Sequence, residues 1–312
     1  MVLTANEANV PPQMGRLPSI TRIGLLANPA AGEGHALRIA DEIANEAALN
    51  GVEVSLVTLD FQSSIESFLD DLIARIQTLV VIGGDGSFHY ALQKLARTEL
   101  PVYVIPAGTG NDFALTNNAS GIDPVHIVHR ILHEEPTRVD LGRVVVGNSE
   151  LWFGQVLSTG FDSLVNRRAN SMRAIKGKIK YTIATLLELP RFNPITYRIA
   201  TDTEVFETRA MLVSIANGPT YGGGMKIVPD ADRHDGYLDI MVLAEVSKIE
   251  LLRVFPKVFS GAHKDHPAVS FYRTKTFSLQ AAALAYADGE FVGDLPIHGE
   301  IHAGALLTWE ER

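Results

Sequence analysis

Strand-like apolar runs alternate with segments of helical period from Arg22 to His133, and this alternation constrains the fold more than any other feature. The runs RIGLLAN, VEVSLVTL, TLVVIGG and PVYVIPAG are short and are bounded by turn-forming residues, as buried strands are. After the first run, Leu37, Ala40 and Ala44 recur at helical spacing. Repeated βαβ units form a parallel sheet with right-handed crossovers. The first part of the chain is therefore predicted to be an α/β domain with a parallel sheet.

The pattern changes after Asp140, where strand-like runs rich in Val, Tyr, Phe and Thr follow one another, among them LWFGQVLS and EVFETRAMLVSIAN. Helical patterns interrupt these runs only near residues 175–188 and 247–259. A succession of strands with few helices is typical of a two-layer antiparallel sandwich. We predict a first domain at 20–140 and a mostly antiparallel β-sandwich domain at 141–299, with residues 300–312 packing back on the first.

Composition excludes several classes of protein. The chain of 312 residues contains no cysteine, which excludes disulfides, thiolate metal sites and cysteine nucleophiles and favours a cytoplasmic location. No stretch approaches the roughly 18 to 20 apolar residues that a membrane-spanning helix needs. The first 19 residues lack the basic and apolar regions of a secretory signal. A net charge of -9 argues against a nucleic-acid partner.

One basic segment, residues 167–180, departs from the acidic character of the chain. Its charges are Arg167, Arg168, Arg173, Lys176, Lys178 and Lys180. The segment has two interpretations, a solvated helix face or a surface that meets anionic lipid headgroups, where each charge contributes about 1 kcal/mol. The second would place the protein peripherally at the inner face of the membrane.

Three polar, glycine-rich segments come directly after predicted strands: NPAAGEG at 28–34, GGDGSF at 83–88 and PAGTGNDF at 106–113. Loops after the carboxyl ends of parallel strands line one crevice, in which ligands bind. Glycine lets backbone N–H groups approach phosphate oxygens. Neither G-x-x-x-x-G-K-[ST] nor G-x-G-x-x-G occurs. A nucleotide would therefore be bound by backbone amides, by the hydroxyls of Ser87 and Thr109, and through a metal.

Two acidic segments of the second domain are further candidates. Asp230, Asp232, Asp235 and Asp239 in DADRHDGYLD form either a solvated turn or oxygen ligands for a hard cation. The segment ADGE at 287–290 is either an ordinary hairpin turn or a pair of carboxylates for phosphoryl transfer.

Together and in this order, NPAAGEG, GGDGSF, PAGTGNDFA, NGPTYGGGMKIVPDADRHDGYLDI and YADGE resemble the diacylglycerol kinase catalytic-domain family, most closely its soluble bacterial lipid kinases. The resemblance runs from about Arg22 to the C-terminus. It implies a nucleotide-binding first domain like that of NAD kinases and phosphofructokinases, and a β-sandwich domain that binds the lipid. The implied activity is transfer of the γ-phosphate of ATP to a hydroxyl of a lipid such as diacylglycerol, with Mg²⁺.

The resemblance also implies roles for particular residues. The implied nucleotide contacts are Asn28, Pro29, Ala30, Ala31, Gly32, Thr58, Gly83, Gly84, Asp85, Gly86, Ser87 and Thr109. Asp288, with Glu290 beside it, matches the general base, and Asp85 is both the partner of Mg-ATP and the rival base. A structural Mg²⁺ would be bound by the Asp235 carboxylate and the backbone carbonyls of Asp232 and Tyr237. Asp112 and Asp140 match acidic positions that in the family belong to a network of side chains extending toward the metal ion.

The sequence departs from the family after GGDGS, where His89 and Tyr90 replace a common Asn-Glu pair, so no role is transferred to them. A helix-face histidine is the preferred interpretation of His89. Two other functions stay open, a kinase of a soluble nucleotide such as NAD and a non-catalytic nucleotide- or lipid-binding regulator. The sequence leaves the oligomeric state open, a homodimer included, and does not identify the acceptor lipid.

Overall fold

The first domain of the computed structural model, which describes residues 20–59, 65–117, 123–172 and 179–310, contains a four-stranded parallel sheet. Its strands, in the order β4-β3-β1-β2, are β1 (Arg22–Ala27), β2 (Glu53–Thr58), β3 (Thr78–Gly83) and β4 (Val102–Pro106). Its helices are α1 (His35–Leu49), α2 (Ile65–Ile73), α3 (Asp85–Leu95), α4 (Asp112–Thr116) and α5 (Pro124–His133). Strand β3 is buried at every position, which explains its unbroken apolar sequence.

The second domain is built from antiparallel strands with two helices inserted after the third. Its strands are β5 (Thr137–Val146), β6 (Ser149–Phe153), β7 (Val156–Gly160), β8 (Ile195–Ala200), β9 (Val205–Ala216), β10 (Leu238–Ala244), β11 (Val269–Thr274), β12 (Thr276–Gln280), β13 (Leu284–Ala287), β14 (Glu290–Asp294) and β15 (Ile297–Thr308). Its helices are α6 (Phe161–Ser171), α7 (Ile179–Glu188) and α8 (Lys248–Val254). The predicted fold class, a parallel α/β domain followed by an antiparallel sandwich, is confirmed.

Strand β15 connects the two domains. It pairs with β5 over most of its length, and its last residue, Thr308, pairs in parallel with Val102 of β4. Trp309 then packs into the core between α1, α5 and the parallel sheet. The sequence analysis expected residues 300–312 to lie on the first domain but predicted no strand there, because Gly299 and Gly304 interrupt the alternation.

The helices of the second domain differ from the prediction at two places. Helix α6 was not predicted, and it begins directly after Gly160, whose φ of 78° turns the chain out of β7 without a loop. Helix α8 ends at Val254, and a 3₁₀ turn covers Phe255–Phe259, because Pro256 cannot continue the hydrogen bonds of an α-helix. Within the described ranges, no helix has the length and apolar character needed to cross a bilayer.

Candidate active site

The three glycine-rich loops lie side by side at the carboxyl ends of the parallel strands. The Asn28 N–H donates to the Ile82 carbonyl at 3.1 Å, and the Ala107 N–H donates to the Gly83 carbonyl at 2.8 Å. A Cβ added to Gly84 would lie 3.1 Å from the Cα of Gly108. Glycine is therefore required because two backbones pass in contact at this point.

Asp85 is the first residue of α3, and its carboxylate accepts the backbone N–H groups of Asn111 and Asp112 at 2.8 and 2.6 Å. Asn111 adopts a left-handed conformation (φ 59°), which turns both N–H groups toward Asp85. Burial raises the pKa of Asp85 to about 7, and the negative charge of Asp112 adds to this effect. The two N–H groups offset it only in part, so Asp85 exchanges a proton near neutral pH.

Asp112 joins the two domains. Its two carboxylate oxygens accept the N–H groups of Gly223 and Gly224 at 2.7 and 2.8 Å. Both glycines have positive φ (85° and 97°), a conformation that other residues adopt at a cost. The acidic loop of the first domain is thus fixed to the segment YGGG of the second.

Asp140, the other acidic position of the predicted network, lies elsewhere. It is buried in β5, and its carboxylate accepts the N–H groups of Gly236 and Gly304, each at 2.7 Å. It is not among the residues that surround Asp85. In this structure Asp140 fixes the turn after Asp235 to β15.

Asp288 and Glu290 lie in the turn of the β13–β14 hairpin, so ADGE is a hairpin turn and also part of the site. Asp288 has a φ of 51°, and its carboxylate accepts three backbone N–H groups, from Gly154, Gln155 and Val156, at 2.7, 2.9 and 3.1 Å. Both of its oxygens are therefore engaged in holding the start of β7. Glu290 is exposed, and its Oε1 would lie 3.0 Å from a Cβ on Gly86.

His89 faces the same turn from α3. The ring is buried, its Nδ1 lies 3.8 Å from Asp288 Oδ2, and that nitrogen has no hydrogen-bond partner among the described residues. His89 is therefore a helix-face histidine beside the candidate base, and its function stays open.

The carboxylates of both domains meet around one cavity of about 250 Å³. Its lining includes Asp85, Gly86, Thr109, Asp112, Asp288 and Glu290. The remaining predicted nucleotide contacts lie outside this lining. The hydroxyl of buried Ser87 accepts from the Asn28 amide at 3.3 Å, and Thr58 is exposed at the end of the edge strand β2. The roles predicted for Asn28–Gly32, Thr58 and Ser87 stay predictions.

The lining of this cavity also includes residues that the sequence analysis did not assign to a site, among them Gln155, Asn166, Asn170, Tyr181 and Tyr221. Asn166 and Asn170 lie four positions apart on α6 and therefore share one face of that helix. That spacing is visible in the sequence, but the neighbouring arginines made the segment look like a charged surface.

A second, apolar cavity lies in the sandwich domain beside the first. Its lining includes Phe161, Val165, Leu212, Met225, Met241 and Leu251. Asn166, Tyr181, Tyr221 and Gly222 line both cavities. The carboxylate-lined cavity is therefore contiguous with a space whose walls suit a hydrocarbon chain.

The acidic turn at 230–239 is occupied by side-chain cations. Asp235 pairs with Arg273 and also accepts the Tyr237 N–H at 2.9 Å, and Arg273 Nε lies 3.5 Å from Asp239. Among the described residues, no group of three or more acidic or histidine side chains could bind a metal ion. The Mg²⁺ site at Asp232, Asp235 and Tyr237 stays a prediction, and a cation there would have to displace Arg273.

The basic segment is divided by the structure. Arg167 and Arg168 lie in α6, and Arg168 pairs with Glu188 of α7 at 2.5 Å. Lys180 lies in the first turn of α7, whereas Arg173, Lys176 and Lys178 are outside the described residues. Membrane contact through this segment stays a prediction.

Comparison with known proteins matches both domains. A model of the diacylglycerol kinase catalytic domain matches residues 22–144, and one of the YegS C-terminal NAD kinase beta sandwich-like domain matches residues 155–308. A diacylglycerol kinase of Mycobacterium tuberculosis is 38% identical over 95% of this chain and 97% of its own length. One from Staphylococcus saprophyticus is 26% identical over 88% of this chain and 90% of its own length.

A solved structure agrees at the level of the fold. A crystal structure of a diacylglycerol kinase from Bacillus anthracis has a TM-score of 0.70 at 18% identity, and the match covers 95% of this chain and 98% of that one. The 38% identity to the Mycobacterium tuberculosis protein, which extends through both domains, shows that the chain belongs to the diacylglycerol kinase family.

Proposed function

We propose that the protein is an ATP-dependent lipid kinase, which transfers the γ-phosphoryl group of ATP to a hydroxyl of a lipid such as diacylglycerol. One observation carries the proposal: the cavity lined by Asp85, Asp112 and Glu290 is contiguous with the apolar cavity of the sandwich domain. A phosphoryl group and a lipid tail can therefore be bound side by side. Membership of a family of kinases supports ATP as the donor.

The phosphates of ATP would lie over the loops at 83–88 and 106–113. The N-terminus of α3 and the loop amides supply positive potential there, and the exposed Thr109 hydroxyl can donate to a phosphate oxygen. Mg²⁺ requires hard oxygen ligands, and the nearby carboxylates of Asp85 and Asp112 fit that requirement together with phosphate oxygens. Bound there, Mg²⁺ would neutralise charge on the transferred phosphate.

On the acceptor side, the carboxylates of the ADGE turn would receive the proton. The lipid hydroxyl oxygen attacks the γ-phosphorus, the bond from that phosphorus to the bridging oxygen of ADP breaks, and the hydroxyl proton passes to a carboxylate. We assign this proton to Glu290, because both oxygens of Asp288 are held by backbone N–H groups. Asp288 then positions the turn. Asp85 is the alternative base, because its raised pKa suits proton transfer near neutral pH even though its oxygens also accept the N–H groups of Asn111 and Asp112.

The apolar cavity favours a lipid over the two other functions that the sequence left open. A soluble nucleotide such as NAD has no hydrocarbon chain to fill a space lined by Phe161, Leu212 and Met241. A non-catalytic protein would not need several carboxylates around one cavity, since their mutual repulsion is unfavourable.

The test is transfer of radiolabel from γ-labelled ATP to a panel containing diacylglycerol, monoacylglycerol, sphingoid bases, phosphatidylglycerol and NAD. We expect label in at least one lipid, and we expect Asp85→Ala and Asp288→Ala each to reduce the rate by orders of magnitude. Asp71→Asn, on the exposed face of α2, is the control. Label in NAD alone would replace the proposal by a nucleotide kinase, and ATP binding without transfer to any acceptor would favour a regulator.

A further inference from the structure

Asp162 is a buried carboxylate in the wall of the apolar cavity. It lies in the first turn of α6, it is 8% exposed, and its neighbours in the cavity wall include Phe161 and Val165. Its Oδ2 is buried and has no hydrogen-bond partner among the described residues. A buried oxygen without a donor is unfavourable by roughly 1–3 kcal/mol, and more if it is charged. Such an atom in a cavity wall indicates that a ligand supplies the donor.

The position of Asp162 relates it to the reacting end of the lipid. The hydroxyls of Ser158 and Tyr221 face its carboxylate and lower its pKa, against the larger effect of burial. Tyr221 lines both cavities, and the glycines that follow it hold Asp112. Asp162 therefore lies close to the junction of the cavities, where the head of a lipid would lie if its tail filled the apolar space.

We propose that Asp162 determines acceptor specificity by accepting a hydrogen bond from a second donor on the lipid, a hydroxyl adjacent to the one that is phosphorylated. This inference rests on the proposed function. Among lipid acceptors it predicts tighter binding of those with a second hydroxyl beside the one that is phosphorylated, such as a monoacylglycerol, than of matched analogues without it.

The charge state of Asp162 suits this role. Burial raises its pKa to about 6, so the carboxylate is ionised under mildly alkaline conditions. Hydrogen bonds to ionised groups are about twice as strong as neutral ones. The other titratable side chains that line the apolar cavity are Tyr181, Tyr221 and His263. Burial raises the pKa of both tyrosines and lowers that of His263, so all three are neutral in the same range.

A purely structural role is the competing explanation, because Asp162 also faces Ser158 and Tyr221. Asp162→Asn separates the two. The amide is close in size and shape to the carboxylate, and its oxygen can still accept from the two hydroxyls. Its NH₂ group, however, replaces the free oxygen and donates instead of accepting. Asp71→Asn makes the same chemical change on an exposed helix face and is the matched control.

The experiment measures equilibrium binding and phosphorylation at about pH 8, where a carboxyl with a pKa near 6 is ionised. The probes are 1-monooctanoylglycerol and 1,3-propanediol monooctanoate. They differ only in the hydroxyl on the middle carbon, next to the terminal hydroxyl that is phosphorylated. We expect the unmodified protein and Asp71→Asn to bind the glycerol ester about tenfold more tightly. In Asp162→Asn we expect the preference to fall to within about twofold, with the midpoint of urea unfolding unchanged.

An equal preference in the unmodified protein and in Asp162→Asn would overturn the inference. So would a loss of affinity for both probes by the same factor, since that is the signature of a structural role. Failure of the glycerol ester to bind would also overturn it. Because binding is measured without ATP, a clear preference without phosphorylation would sustain the role of Asp162 and refute the kinase proposal.

Discussion

Replacing Asp85 by asparagine should change how the stability of the protein depends on pH. Burial and the charge of Asp112 raise the pKa of Asp85 from 3.8 to about 7, so the folded protein holds this proton more tightly than the unfolded chain does. For a carboxyl with a raised pKa, stability falls as pH rises between the unfolded and folded pKa values and is level above the folded one. Asparagine does not titrate, so the variant lacks this loss.

The size of this change depends on how much of the interval between the unfolded and folded pKa values of Asp85 the assay covers. The range from about pH 5 to about pH 8.5 includes some two pH units below the folded pKa. Over these units the free energy of unfolding of the unmodified protein falls by about 1.36 kcal/mol per unit. The free energy of unfolding of Asp85→Asn, relative to the unmodified protein, should therefore increase by about 2 to 3 kcal/mol across this range. The amide also places a donor against the N–H of Asn111 or Asp112, but that penalty is independent of pH and cancels.

The assay is urea unfolding at several pH values, followed by the fluorescence of the two tryptophans. Both are suitable reporters, because Trp152 and Trp309 are 8% and 4% exposed and pack in the two cores of the first domain. Asp71→Asn should run parallel to the unmodified protein. Parallel curves for Asp85→Asn as well would show that Asp85 has an ordinary pKa. A lowered pKa would give the same parallel curves, because such a carboxyl is ionised in both the folded and the unfolded protein throughout this range.

Four further predictions concern single substitutions in the candidate site and in the acidic turn. Glu290→Gln should lower kcat by about 10²–10⁴ with an unchanged unfolding midpoint, because Glu290 is exposed. Asp288→Ala should lower activity and also lower the free energy of unfolding by several kcal/mol, roughly 1–3 for each backbone N–H group that loses its acceptor. Equal free energies of unfolding for Asp288→Ala and Glu290→Gln would contradict the different roles assigned to the two residues. Gly110→Ala should weaken ATP binding about tenfold or more by calorimetry, because its Cβ would overlap the Asp85 carboxylate; an unchanged Kd would mean that this loop does not approach the nucleotide. Arg273→Gln should make the thermal midpoint respond to Mg²⁺ without nucleotide, since it frees Asp235, and a response already present in the unmodified protein would show that Mg²⁺ displaces Arg273.

Local patterns made much of the first domain predictable. Strand β3 appears as an apolar run because both of its faces are buried, and Asp123 caps α5 by accepting the Val125 N–H, as Asp-Pro predicts. The glycine loops were correctly placed at the ends of β1, β3 and β4 because strand direction alone decides which loops share an edge. None of these inferences needs a contact between residues distant in the chain.

The missed parts of the site depend on such contacts. Asp288 is separated by more than 130 positions from its backbone partners at 154–156, so the sequence shows a hairpin turn but not what that turn holds. Helix α6 follows β7 directly, and its sequence FDSLVNRRANS is too polar to show a clear apolar face. The sequence therefore identified the carboxylates that line the first cavity and none of the residues that line the apolar one.

Hydrogen bonds and the segment 221–224 connect the carboxylates of the two domains, and this arrangement bears on how the two substrates affect each other. Asp85 accepts from the backbone of Asp112, Asp112 accepts from Gly223 and Gly224, and the hydroxyl of the adjacent Tyr221 faces the Asp162 carboxylate. Neutralising Asp85 by Mg-ATP would remove the repulsion between its carboxylate and that of Asp112, which holds this segment. A donor hydroxyl at Asp162 would fix the Tyr221 end of the same segment. Under the proposed function each substrate would order the segment that the other contacts. Bound nucleotide should then raise the affinity for lipid by the same factor as lipid raises the affinity for nucleotide.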